Sequence, residues 1–226
     1  MILMNHAMMG AAGYQAAAGG DQLFWTPDAA DVGGPPSDIT FDWPVGAPSA
    51  TVEVAIESQG DWPSQPFLRL KFGSNSFAFL RLLSIGGASV PESDEIEIYA
   101  QASYFSIFSS HSIAVKIQPG TQTGYNFRPA ESSFNAVGPG RTFSSLGTLT
   151  EGRPIAYRLR AGNTEQKAKA WTIGDPEPAW EVESTHTAFP GPGSPGFLNL
   201  YTNTGDIKIG ALGIGLNGAS APMEPI

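Results

Sequence analysis

Residues 157–182, YRLRAGNTEQKAKAWTIGDPEPAWEV, leave the chain few ways to fold. Ile155, Tyr157 and Leu159 alternate with Ala156, Arg158 and Arg160, the period of a strand with one face buried and one wet. Gly162-Asn163 supplies a turn, since both residues tolerate the positive φ of short hairpins. A second strand is expected from Glu165 to Ile173, with Ala168 and Ala170 on one face and Lys167, Lys169 and Trp171 on the other. The alanines predict a crowded inner face against a second sheet. Asp175-Pro176-Glu177-Pro178 ends the ladder, because proline has no N–H to give it, and Trp180 is expected to fold back over the sheet edge.

Glycine and proline (27 and 19 residues) make up about a fifth of the chain and no sustained helical period follows residue 20, which favours many short strands joined by turns. Further strands are expected at 39–43, 51–57, 67–72, 77–85, 95–102, 104–108, 112–118, 125–127, 141–143, 197–202 and 207–216. In the last of these, glycines at 210, 213 and 215 predict close backbone approach or a bulge. The fold class expected is all-β: an antiparallel two-sheet sandwich with an N-terminal extension. Its expected parts are an arm and linker at 1–36, a sandwich domain at 37–218 and a tail at 219–226.

A net charge of −9, with only 12 scattered Lys and Arg, argues against a nucleic-acid partner. The absence of cysteine excludes disulfides and thiolate metal sites. No apolar run is long enough for a membrane-spanning helix. Ala16-Ala17-Ala18 has the look of a signal-peptide cleavage site, but no basic segment precedes it, and Asn5, His6 and Gly10 interrupt the apolar stretch.

The series Tyr157, Arg158, Arg160, Lys167, Lys169, Trp171, Glu177, Pro178, Trp180, Gly196, Phe197 and the apolar run 207–214 resembles the C-terminal half of concanavalin A-like (laminin-G-like) jelly-roll domains. Those are found in bacteriophage tail and virion proteins and in some bacterial surface proteins. Asp94 to Ile98, Ile113 to Lys116 and Gly124-Tyr125 fit the family's earlier strands more loosely, and the resemblance spans residues 77–221. It implies structural roles for Tyr157, Trp171, Glu177 and Trp180.

Enzymatic patterns are few. Glu92-x-Asp94-x-x-Glu97 matches the carboxylate spacing of laminarinase-type jelly-roll glycosidases. Ile96 and Ile98 hold the buried positions of that strand, however, so Glu95 and Glu97 are expected on its solvated face and no catalytic residue is assigned. His6, His111 and His186 are too dispersed for a transition-metal site or a triad. No cofactor is expected. The resemblance allows a structural calcium, for which Asp28 with Asp31 and Asn203 with Asp206 are the candidates. Trp62, Tyr104 and Tyr125, in or near turns, are candidate sugar-stacking rings.

The expectation is therefore a non-enzymatic structural component of a phage virion, located in the virion. Its partners would be other virion subunits, a homo-oligomer and a host-surface glycan. Residues Met1, Ile2, Leu3, Met4, Met8, Met9, Tyr14, Leu23, Phe24 and Trp25 form the candidate assembly arm, an uncharged stretch that buries too little alone to offset its ordering entropy. The alternative is a carbohydrate-binding module at a bacterial surface or secreted.

Overall fold

A computed structural model of the protein describes residues 21–42, 50–56, 65–72, 78–102, 111–120, 123–130, 133–137, 142–145, 153–185, 187–199 and 206–224. They form two eight-stranded sheets with every strand pair antiparallel. The first sheet runs β14 (Val182–Thr185), β13 (Glu165–Thr172), β12 (Ile155–Ala161), β7 (Ile96–Ala102), β16 (Asp206–Leu216), β4 (Pro66–Phe72) and β3 (Ala50–Ile56), with β1 (Gln22–Trp25) also on β16. The second runs β11 (Thr142–Ser145), β10 (Ser133–Val137), β9 (Tyr125–Ala130), β8 (His111–Ile117), β15 (Ser194–Asn199), β5 (Ala78–Ile85) and β2 (Thr40–Asp42), with β6 (Ala88–Ser89) on β5. This is the jelly-roll sandwich expected from the sequence, and among the described residues no helix is long and apolar enough to cross a membrane.

Alternation builds the core. Ile96, Ile98 and Ala100 of β7, Tyr157 and Leu159 of β12, Ala168 and Ala170 of β13 and Leu212, Ile214 and Leu216 of β16 all face inward. They meet Leu80 and Leu82 of β5, Ile113 and Val115 of β8, Tyr125 and Phe127 of β9 and Phe197 of β15. Small Ala168 and Ala170 of β13 pair with the larger Leu159 and Tyr157 of β12 on the inward face of the same sheet.

Four expectations change. Leu23, Phe24 and Trp25 are not part of an assembly arm: they form β1, pair with β16 and are buried in the same molecule. The Trp25 indole donates to Asp38 Oδ2 at 3.0 Å. The arm residues Met1, Ile2, Leu3, Met4, Met8, Met9 and Tyr14 lie outside the described residues. The sandwich therefore starts by Gln22, not at 37, and the segment placed in a tail from 219 packs on it, with Ala221 buried. Three strands went unread, β6, β10 and β14. Strands expected within 104–108 fall outside the described residues.

Candidate binding site on the outer face of the first sheet

Register sets the outer face of this sheet. Arg158 lies opposite Tyr99 on one side and Lys169 on the other, and Arg160 lies opposite Glu97. The sequence predicted that this face would be wet, yet Glu97 is 3% and Arg158 6% exposed. Two distant segments cover it. From the tail, Ala221 accepts a hydrogen bond from Arg158 Nη1 at 2.7 Å through its carbonyl and donates its N–H to Glu97 Oε1 at 3.2 Å. From the proline loop comes Glu177, whose Oε1 lies 2.8 Å from Arg158 Nε, an ion pair without hydrogen-bond alignment, and 2.7 Å from Lys169 Nζ.

Arg158 Nη1 also donates to Glu97 Oε1, and its guanidinium lies 5.1 Å from the Tyr99 ring centre. Lys169 Nζ donates to the Pro178 carbonyl at 3.0 Å and sits 4.5 Å from the Trp180 ring centre. Trp180 thus folds back over the sheet as expected, held by a cation–π contact. Two cations meet two carboxylates, the condition under which burying ions is tolerable. Trp171, 9% exposed, packs with Tyr99, Phe24 and Ala211 beside this network.

The tail can lie so close because β16 presents almost no side chain on that face. A Cβ on Gly213 would come within 2.0 Å of the Pro222 carbonyl oxygen. The close approach predicted from the glycines is therefore real, and its partner is the chain's own C-terminal segment.

Where that cover ends a groove opens. β16 pairs with β4 up to Ile209 and with β1 from Leu212, so Gly210 and Ala211 lie at the change of partner, and the register with β7 also shifts there. The resulting groove, about 280 Å³, is lined by Phe24, Gln65, Gln101, Ala211, Met223 and Glu224 among others. Gln101 Nε2 donates to the Tyr99 hydroxyl at 2.6 Å, which fixes the amide plane. Burial pushes the Tyr99 hydroxyl above its ordinary value, so it stays protonated. The groove's lining thus combines apolar surface with amide and carboxylate groups. A larger hollow of about 470 Å³ along β13 and β14 is lined by the polar and charged residues Glu165, Gln166, Lys167, Glu183, Ser184 and Thr185.

The other sequence candidates do not converge. Tyr125 is a correction: it is 1% exposed, stacked edge-on against Phe189 at 4.8 Å, and has no face to offer a sugar. Trp62 and Tyr104 lie outside the described residues. Tyr157 is core, its hydroxyl fully buried and pushed up by that burial. Glu92, Asp94 and Glu97 are separated: Glu92 pairs with Arg81 at 3.0 Å, Asp94 accepts from Asn163 Nδ2 at 3.3 Å, and Glu97 is sealed under the tail instead of solvated. Asp28 caps the short 3₁₀ turn Ala29–Asp31, its Oδ1 accepting from Ala30 N at 2.8 Å. Asn203 lies outside the described residues and Asp206 opens β16. Among the described residues no group of three or more His, Asp or Glu side chains could hold a metal ion. Sequence reading missed Gln101 and the buried Lys116. Gln101 sits on the same period-2 face of β7 as Glu97 and Tyr99, the outer face of the first sheet.

No protein-family model matches the sequence, and neither does any curated protein. Solved structures are similar in fold alone. The fold is similar to domain 4 of AbnA, a GH43 extracellular arabinanase from Geobacillus stearothermophilus, in complex with arabinotriose (TM-score 0.45, 11% identity, 81% of this chain and 82% of that one). It is similar to the carbohydrate-binding module CBM66 from Bacillus subtilis (TM-score 0.43, 10% identity, 76% and 94%). It is also similar to the exoplasmic/lumenal domain of VIP36 in its metal-free form (TM-score 0.44, 7% identity, 76% and 85%).

Proposed function

We propose that this chain is a non-catalytic carbohydrate-binding sandwich, acting outside the cell or on a surface, that takes a neutral saccharide in the groove beside Gln101. The observation that carries this reading is the groove's composition: apolar Phe24, Ala211 and Met223 line it together with the Gln65 and Gln101 amides and Glu224. A pyranose or furanose ring has this amphipathic character, with C–H faces that pack on apolar surface and hydroxyls that need amide and carboxylate partners. The volume suits one sugar unit. The net charge of −9 opposes anionic polymers, which selects neutral glycans.

The virion reading keeps the same scaffold but has lost Leu23, Phe24 and Trp25 to the protein's own sheet, and its remaining arm residues lie outside the described part. A neutral-glycan array followed by calorimetry tests the binding reading. Gln101→Ala is expected to weaken the best ligand at least tenfold, about 1.4 kcal/mol, with Glu224→Ala as a second variant that leaves the core untouched. Failure of every neutral glycan to bind, or binding indifferent to both substitutions, sinks it.

A further inference from the structure

Among the described residues, one buried lysine makes no ion pair, although the charges of Asp94 and Glu95 act on it from nearby. Lys116 is 0% exposed and has a left-handed backbone, φ +57°, the region glycine normally fills. A bulge puts it there: β15 advances from Ser194 to Gly196 while β8 goes from Ile117 to Ala114, so β8 carries one extra residue. The effect on side-chain direction is plain. Ile113 and Val115 face the core, but Ile117 lies with Ala114 on the opposite face, against strict alternation. Gly193 lets the neighbouring loop approach, since a Cβ there would lie 2.7 Å from Lys116 Cα. Backbone strain retained at one residue is a marker of function.

The bulge delivers Lys116 Nζ to the end of the sandwich where three segments meet. It donates to Asn163 Oδ1 at 2.9 Å, to the Asp94 carbonyl at 3.0 Å and to the Gly191 carbonyl. Asn163 belongs to the hairpin turn between β12 and β13, in the opposite sheet. Its amide is gripped from every side: the Gly191 N–H donates to Oδ1 at 3.2 Å, and Nδ2 donates to Asp94 Oδ1 at 3.3 Å.

We infer that Lys116 and Asn163 form an intramolecular amide bond, with Asp94 as its catalytic residue and the Gly191 N–H as oxyanion donor. The parts of an acyl transfer are all present: a nucleophile, a carboxamide, a donor on the oxygen that becomes negative, and a carboxylate on the departing nitrogen. Burial pushes the Lys116 amine below its ordinary value, against the opposing fields of Asp94 and Glu95, which favours the neutral, nucleophilic form. The amine attacks Asn163 Cγ. The Nζ–Cγ bond forms, and the Cγ–Nδ2 bond breaks. One proton passes from Nζ to the Asp94 carboxylate and from there to Nδ2, which leaves as ammonia. One primary amide becomes one secondary amide, with no change of oxidation state and no co-reactant. The product ties β8 of the second sheet to the β12–β13 turn of the first, closing a loop between residues 47 apart in sequence and removing conformational freedom from the unfolded chain as a disulfide would, in a protein that has no cysteine.

Intact-mass spectrometry of the full chain, purified and held at neutral pH, tests this. The native chain is expected to be lighter than its sequence mass, with or without Met1, by one ammonia. Tandem spectra are expected to show the Lys116 and Asn163 peptides joined. Lys116→Arg, Asn163→Ala and Asp94→Asn are each expected at the full mass calculated for the variant, and circular dichroism shows which remain folded. A native chain at full sequence mass overturns the inference. So does an ammonia loss that maps elsewhere, such as a succinimide at another asparagine, or a folded Asp94→Asn chain that links as fast as the native one.

Discussion

Arg158 and Lys116 are both buried among the described residues of this sandwich, and they are compensated in opposite ways. Arg158, on the outer face of the first sheet, is met by the carboxylates of Glu97 and Glu177. Lys116, at the end of the sandwich, has neutral oxygens of Asp94, Asn163 and Gly191 as its direct partners among the described residues, while the Asp94 and Glu95 charges act on it without an ion pair. A guanidinium stays protonated wherever it is placed, so its burial demands counter-charge. An ammonium given dipoles alone can shed its proton, and becomes chemically useful when it does. The first cluster is thus a lock holding loop and tail against the sheet, whereas the second has the environment of a reactive amine.

The sharpest way to break the contrast is to remove the counter-charge from the first cluster. Glu97→Ala leaves Arg158 buried with half its compensation and strips the Ala221 N–H of its acceptor. A loss of about 3–5 kcal/mol in urea unfolding is expected. Replacing Glu97 and Arg158 together by leucines of similar bulk should cost far less, because no stranded ion remains. If the single variant costs under about 1 kcal/mol, the cover is open to water in solution and the lock does not exist.

Lys116→Met comes next, at about 1–3 kcal/mol for the desolvated oxygens it strands, with a pH dependence that reads the amine directly. An amine whose folded value lies below the ordinary 10.5 holds fewer protons than the unfolded chain between those two values. Stability therefore rises with pH through that window, and the cost of burying the charge is felt below it. Measured as the difference from Lys116→Met, Asn163→Ala, which keeps the amine, should show this climb. The cross-linked native chain has no amine to titrate and should give a flat difference curve. A native curve that climbs like that of Asn163→Ala means that the amine survives.

What the sequence revealed follows from how local each signal is. Alternation at Ile155, Tyr157 and Leu159, and the alanines at 168 and 170, placed both the sheet and the core, because period 2 is a property of adjacent residues. The same alternation misjudged Glu97 and Arg158, since their cover comes from Ala221, more than a hundred residues beyond Glu97, and from the proline loop. β14 is four residues long and, among the described residues, pairs only with β13, too short for a period to register. Tyr125 sits beside a turn signal but points into the core, which only its pairing with β8 decides. Lys116 was hidden by a bulge, the feature that breaks the rule used to read strands. The candidate groove was least legible, because it exists where β16 changes partner and no single segment contains it.

The smallest effect is the most exacting control. Arg160 and Glu95 lie on β12 and beside β7, one row along from Arg158, and form the same type of pair at 3.4 Å but with 27% and 51% of their side chains exposed. Water screens the attraction there and two long side chains must be held in one geometry, so Glu95→Gln should cost less than about 1 kcal/mol, and less again in high salt. Arg160 keeps a second, longer contact with Glu97 Oε2 at 3.8 Å, which makes the loss smaller still. Melting curves at low and high salt check this. Indifference to salt together with a loss approaching that of Glu97→Ala would place Arg160 under the same dry cover as Arg158, and the boundary of the lock would then have to be drawn beyond the tail, toward the end of the sandwich that holds Lys116.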